Sequence, residues 1–184
     1  METTKTIESA VFGGGCFWCT EAVFSSLKGI VSTMPGYSGG SVENPAYEQV
    51  SSGDTGHVEV TKVEFDPDEI SYHDLLTVFF ATHDPTTMNR QGNDVGPQYR
   101  SVIFYMNEEQ KRQAEEYIKE VASSFSDPIV TTVQTFEAFY LAEDYHQKYY
   151  EKHKDFPYCQ AIIDPKLEKL QQHFAALLKS HSKE

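Results

Sequence analysis

Gly13-Gly14-Gly15-Cys16-Phe17-Trp18-Cys19-Thr20-Glu21 decides how the rest of the chain is read. Before it, Ile7 to Phe12 carries Ile, Val and Phe, the β-branched and aromatic character of a strand. After it, Ala22, Val23, Phe24 and Leu27 fall at helical spacing, so the glycines form a strand-to-helix turn with Cys16 near the helix N-terminus. A thiol placed there meets unpaired backbone N–H groups and the positive end of the helix dipole, and both favour the thiolate. Cys16 is therefore a candidate nucleophile. The competing reading makes Cys16 and Cys19 small buried hydrophobes behind a tight turn. Three consecutive glycines weigh against it, because each gives up backbone entropy that a structural turn could keep with one. Such a run implies that something approaches the backbone closely.

The 184 residues suffice for one well-formed core, and a hydrophobic content of 39% with 23% charged residues is that of a soluble globular domain. The formal net charge of −13 argues against nucleic acid or an anionic membrane surface as partner. Glu2, Lys5 and Glu8 interrupt the first residues, and apolar windows such as Leu75 to Ala81 are too short to span a bilayer, so a soluble, cytoplasmic protein is expected. Three cysteines form no paired framework. In a reducing compartment so sparse and odd a set points to catalysis or redox work.

Along the chain, Ile30 to Tyr37 reads as a second strand, and Tyr47 to His57 as a loop with a brief ordered start. From His57, the positions Val58, Val60, Lys62 and Glu64 alternate with Glu59, Thr61, Val63 and Phe65, a strand buried in part on both faces. Ser71 begins a helix that ends near His83. Thr86 to Tyr99 is the longest stretch without periodicity, and loops of that length in a compact domain are often functional. Ser101 to Met106 returns as a strand, and Asn107 caps a charged helix from Glu108 to about Ser124. Ile129 to Phe139 is a further strand candidate, Glu143 to Tyr150 a short helix, and Asp164-Pro165 opens a final helix with Leu167, Leu170, Phe174, Leu177 and Leu178 on one face. This order lacks the rhythm of a doubly wound sheet and predicts an α+β fold with a mixed sheet.

The C-x-x-C spacing of Cys16 and Cys19 permits three chemistries: a dithiol redox pair, a zinc site, or a thiolate attacking an electrophile beside the aromatics. Zinc is the weakest, since only Cys159 and scattered single histidines remain to complete a ligand set. Phe17 and Trp18 serve the third, because two large aromatics after a reactive thiol can pocket an apolar, soft group. Glu59 is a solvent-facing strand carboxylate unless it turns inward. If buried, it would gain proton affinity and could act as a general acid. Tyr47 and Tyr99 sit in loops where hydroxyls can bind an oxygen.

Four motifs then carry a resemblance. Gly15-Cys16-Phe17-Trp18, Tyr47 with Gly53-Asp54-Thr55-Gly56-His57-Val58-Glu59, Gln91-Gly92-Asn93-Asp94-Val95-Gly96-Pro97-Gln98-Tyr99-Arg100-Ser101, and Ala142-Glu143-Asp144-Tyr145-His146-Gln147 resemble, in order, the type A peptide methionine sulfoxide reductases. The resemblance spans Val11 to Cys159 and implies reduction of the S epimer of methionine sulfoxide, free or in proteins, with no metal or organic cofactor. It implies Cys16 attacking the sulfoxide sulfur, Phe17 and Trp18 caging the S-methyl group, and Glu59 with Tyr47 and Tyr99 serving the departing oxygen. Asp94, His146, Tyr149 and Tyr158 would line or orient the same basin. The implied architecture is a single α+β domain with a mixed, mainly antiparallel sheet flanked by helices, a ferredoxin-like core over residues 7–150. Residues 151–184 would form an irregular C-terminal segment with Cys159 and the terminal helix.

A second thiol must convert the resulting sulfenic acid to a disulfide that thioredoxin can reduce by exchange. Cys19 stands where the commonest family pattern has glycine, and Cys159 falls where a resolving cysteine is usual. The resemblance favours Cys159, with Cys19 as rival or relay, and a monomer is expected. Two other functions stay open on the residues alone. One is a general thiol–disulfide oxidoreductase using Cys16 and Cys19, and the other a non-catalytic acidic module binding methionine-containing peptides.

Overall fold

In the computed structural model, which describes residues 4–180, the opening stretch becomes β1 (Glu8–Gly13), a turn, and α1 (Phe17–Ser25). There follow β2 (Ile30–Ser38), α2 (Tyr47–Ser51), β3 (Val58–Phe65) and α3 (Tyr72–Thr82). A hairpin of β4 (Arg90–Gln91) and β5 (Asp94–Val95) leads to β6 (Val102–Tyr105), α4 (Glu108–Val121) and β7 (Thr132–Thr135). The chain ends with β8 (Tyr140–Leu141), α5 (Tyr149–Lys152) and α6 (Asp164–His173). Six strands bond in the order β7-β6-β1-β3-β2-β8, with β6 and β7 parallel and every other pair antiparallel. The interleaved units β1-α1-β2 and β3-α3-β6 make this a ferredoxin-like core extended at both edges. Among the described residues, no helix is long and apolar enough to cross a membrane.

Alternation in the strands sorts the core. Ala10 and Phe12 of β1 and Val63 and Phe65 of β3 face a cluster built with Val23, Phe24 and Leu27 of α1 and Leu75, Leu76, Phe79 and Phe80 of α3. Phe12 lies 5.0 Å from both Phe24 and Phe79, centroid to centroid. Truncating it would cost about 3–5 kcal/mol through the lost burial and the cavity left behind. The intervening Val11, Val58 and Val60 point to the other face, under Phe136 and Phe139. By the same alternation Glu59 belongs to the helix-covered face, beneath the start of α1. The helices begin where cap chemistry starts them. Ser71 and Asp74 form a reciprocal box at α3, and Asn107 accepts from the Gln110 N–H at α4.

The long aperiodic stretch is pinned rather than loose. Gln91 bonds the Asp84 backbone through both ends of its amide, at 2.9 and 2.8 Å, and its methylenes pack where a Cβ on Gly15 would stand. Three expectations need correction. Glu143 to Tyr150 is not one helix: a 3₁₀ turn over Asp144–His146 is cut off from α5 by Lys148 in the left-handed region. Ile129 to Phe139 pairs only over Thr132–Thr135. The final helix starts in a π-helical turn over Cys159–Ile163 and ends at His173. Phe174 and Leu177 therefore reach the core from a separate 3₁₀ turn; residues 181–184 lie outside the described residues.

Candidate active site

Cys16 is the N-cap residue of α1, half-buried at the mouth of the turn. The glycines before it are needed for the chain's own packing. A Cβ on Gly13 would stand 2.8 Å from Val58, one on Gly14 3.0 Å from His83 and Phe79, and Gly15 also has a φ of +89°. What approaches the backbone closely is thus the sheet, α3 and Gln91. Its tight seating sets Phe17 against β3, where the Phe17 N–H donates to Glu59 Oε1 at 3.2 Å.

Glu59 is 2% exposed, so burial settles the choice between its two readings. Desolvation pushes its carboxyl up to about 8 despite the Phe17 N–H, with the negative charge of Asp94 adding to the rise. A carboxylic acid that holds its proton at neutral pH thus bonds the backbone of the residue next to the thiol. The phenols of Tyr47, first residue of α2, and Tyr99, last of a 3₁₀ turn after the hairpin, are raised by burial and then by Glu59, with Cys16 and Asp94 contributing. Both hydroxyls therefore stay protonated and turn toward the same basin.

The indole of Trp18 makes the apolar wall. It stacks on Tyr149 at 3.6 Å with 5° between planes, meets Tyr158 edge-on at 5.9 Å, and donates its N–H to His146 Nδ1 at 3.0 Å. Burial pushes His146 down, so the ring is neutral, and accepting at Nδ1 leaves its proton on Nε2, 3.6 Å from Glu143. Glu143 in turn accepts from Tyr37 and Tyr145. Phe17 closes the inner side, 4.9 Å from His146 and 5.7 Å from Tyr37.

A family model described as peptide methionine sulfoxide reductase matches residues 8–178. The chain belongs to the peptide methionine sulfoxide reductase family. It is 58% identical over 168 residues to peptide methionine sulfoxide reductase MsrA of Sulfolobus acidocaldarius, covering 91% of this chain and 96% of that one. Mxr1 of Saccharomyces cerevisiae in reduced form shares the fold at a TM-score of 0.80, with 31% identity, over 86% of this chain and 92% of that one. Methionine sulfoxide reductase A of Corynebacterium diphtheriae gives 0.74 and 31%, over 84% and 78%.

For a peptide methionine sulfoxide reductase the arrangement of the three thiols matters most. Cys19 and Cys159 share a buried cluster with Ala22 and Ile163, and Cys16 and Trp18 pack against it. The Cys16 thiol is the largest influence drawing its neighbour Cys19 down to about 7, helped by Lys166 and the Tyr158 hydroxyl. Tyr158 bridges Cys19, at 3.5 Å, and Asp94, at 3.2 Å. Here the expectation for Cys16 needs correction. Burial, the Cys19 thiol and Glu59 raise it well above the ordinary thiol range, and the Trp18 N–H at the helix start only offsets part of that. Desolvation raises Cys159.

The aromatic and thiol residues singled out in the sequence pack around Cys16, Trp18 and His146. The sequence reading passed over Glu143 and Tyr37, a hydrogen-bonded pair whose carboxylate stands 3.6 Å from His146 Nε2, although Glu143 stood inside a quoted motif.

Proposed function

We propose that the chain reduces the S epimer of methionine sulfoxide, free or in proteins, with Cys16 as nucleophile and Glu59 as general acid. The observation that carries this reading is the half-exposed Cys16 held across the Phe17 N–H from a buried, protonated Glu59. Passing its proton to the neighbouring Cys19 thiolate makes Cys16 the thiolate, which attacks the sulfoxide sulfur. Phe17 and Trp18 hold the S-methyl group. Glu59 gives its proton to the oxygen while Tyr47 and Tyr99 donate hydrogen bonds to it. The sulfur–oxygen bond breaks, methionine leaves, and Cys16 becomes a sulfenic acid.

Cys19, the thiol drawn down to about 7, would attack next, and as the Cys16–Cys19 disulfide forms, the sulfenic oxygen leaves as water. Cys159, in the same cluster, then takes Cys19 by exchange, which frees Cys16 and presents a Cys19–Cys159 disulfide to an external dithiol. Thioredoxin is the reductant of choice, in keeping with the complex of Mxr1 with Trx2. Residues 7–150 would supply the reacting groups and 151–184 the outlet for oxidising equivalents. A plain thiol–disulfide oxidoreductase would leave the buried acid at Glu59 without a task.

Mixing the enzyme with S-methionine sulfoxide and no reductant tests the proposal. Up to about two methionines per chain should appear, the first with two thiols lost to a disulfide and the second, from the freed Cys16, leaving that thiol as a sulfenic acid. The R epimer should release none. No methionine from the S epimer, or equal release from both, would overturn it.

A further inference from the structure

One buried carboxylate has no part in this chemistry. Glu21, 3% exposed, lies on α1 three residues beyond Trp18 and on the same side of the helix. Thr33 of β2 donates its hydroxyl to Oε2 at 3.0 Å, and the Lys148 backbone N–H reaches Oε1 at 2.6 Å. Burial pushes the Glu21 carboxyl up to about 7 even so.

Lys148 is the unusual partner. Its φ of 52° and ψ of 38° place it in the left-handed region, which a non-glycine residue holds only where its surroundings enforce it. It joins the two residues that grip Trp18. His146, two positions before, accepts the indole N–H, and Tyr149, the next residue, stacks on the indole face. Gln147, extended at φ −73° and ψ 131°, ends the 3₁₀ turn, and the left-handed Lys148 then starts α5 in a new direction, which gives these two side chains their separate approaches to one ring.

We propose that Glu21 is a positioning residue for the substrate pocket. By holding the Lys148 N–H it fixes the left-handed turn that delivers His146 and Tyr149 to Trp18. This rests on the reading of Trp18 as the pocket wall. A carboxylate that merely filled the space between α1 and β2 could give way to an isosteric apolar side chain with the indole undisturbed.

The chain has a single tryptophan, so its fluorescence and its one indole N–H resonance report on Trp18 alone. The full-length enzyme without substrate is compared with Glu21→Gln, Glu21→Ala and Glu21→Met. Glu21→Gln keeps a carbonyl for the Lys148 N–H and should retain the emission and the hydrogen-bonded indole resonance. Glu21→Ala and Glu21→Met should move the resonance toward that of free indole, shift emission to the red and open Trp18 to acrylamide quenching. In turnover, the latter two should raise KM for methionine sulfoxide about tenfold with kcat changed less than about threefold, and Glu21→Gln should restore KM. Where Glu21→Ala does not fold, Glu21→Met, which fills the same space, decides. Wild-type spectra in Glu21→Met, or a Glu21→Gln as disturbed as the others, would overturn the proposal. Disturbed spectra with an unchanged KM would leave Glu21 its positioning role and remove Trp18 from the pocket, so the two readings fail separately.

Discussion

The sheet and the segment from Ala142 to Asp164 meet at the same thiols but are built in opposite ways. Cys16 and Glu59 are held by β1, α1 and β3, regular elements whose alternation and helix start dictate where each side chain points. His146, Tyr149, Tyr158 and Cys159 come from a 3₁₀ turn, a left-handed residue, one short helix and a π-helical turn. The first region makes a fixed dipolar setting for breaking a sulfur–oxygen bond. The second wraps that setting with aromatic surface and carries the last thiol. Segments of short, irregular turns open at lower cost than a paired sheet. On the proposed mechanism, bond breaking would fall to the sheet region, while the wrap would back the recognition surface and supply the last thiol for disulfide exchange.

The sharpest way to break this division is at Cys16. Cys16→Ser should lower methionine release about 10⁴-fold or more, as loss of a nucleophile does, while the Trp18 emission stays in place. Residual turnover near the wild-type rate would mean that Cys19, and not the sheet-mounted thiol, attacks. Glu59→Gln comes next and should slow the first chemical step about 10²-fold, the usual weight of a general acid. The wild-type single-turnover rate should rise as the thiol pair ionises near 7 and fall as Glu59 loses its proton near 8. The alkaline fall should vanish in Glu59→Gln; a fall that persists would place the acid elsewhere.

Glu59 also yields a stability prediction with a fixed sign. Its carboxyl binds a proton more tightly when folded, about 8 against an ordinary 4.5, so the folded state holds the extra proton between those values. The contribution is complete below the unfolded value and is lost as pH rises toward 8. Glu59→Gln, which keeps an acceptor for the Phe17 N–H, should therefore raise Tm at pH 8.5 and change it little at pH 4. Equal gains at both pH values would show that no buried charge was relieved.

The outlet for oxidising equivalents makes a smaller difference to the first turnover. Cys159→Ser should leave the single-turnover burst intact and trap a Cys16–Cys19 disulfide, while steady turnover with thioredoxin drops about tenfold through poorer access to that bond. A burst that stalls at the sulfenic acid would make Cys159 the direct resolver.

The sequence exposed the sheet region more fully than the wrap, for physical reasons. Alternation from Val58 to Phe65 and the helical spacing after Cys16 are local, and they placed β3 within a residue of its observed limits and the start of α1 directly after Cys16. Whether Glu59 faced solvent or core depended on which face α1 would cover, a long-range fact. The wrap has no period to read. Lys148 adopts its conformation because Glu21, 127 positions away, accepts its N–H, and nothing near Lys148 in the chain announces that. The helix-start argument for Cys16 failed in the same way: it counted the Trp18 N–H but not the burial and the Glu59 charge that outweigh it.

The gentlest test lies at the contact between the two regions. Tyr158, from the wrap, bridges Cys19 of α1 and Asp94 of the hairpin. Its one hydroxyl proton goes to Asp94 when Cys19 is a thiol and can turn to sulfur when Cys19 is a thiolate, so the bridge favours the ionised pair. Tyr158→Phe removes it while keeping the ring against the Trp18 edge. The Cys19 titration, followed by alkylation rate against pH in Cys16→Ser combined with Cys159→Ser to isolate the thiol, should then move up by about one pKa unit for the lost hydrogen bond. Substrate KM should hardly change, because the aromatic wall remains. A shift in KM without one in the thiol titration would instead make Tyr158 part of the recognition surface alone, and the wrap would then have no hand in the ionisation of the sheet-mounted pair.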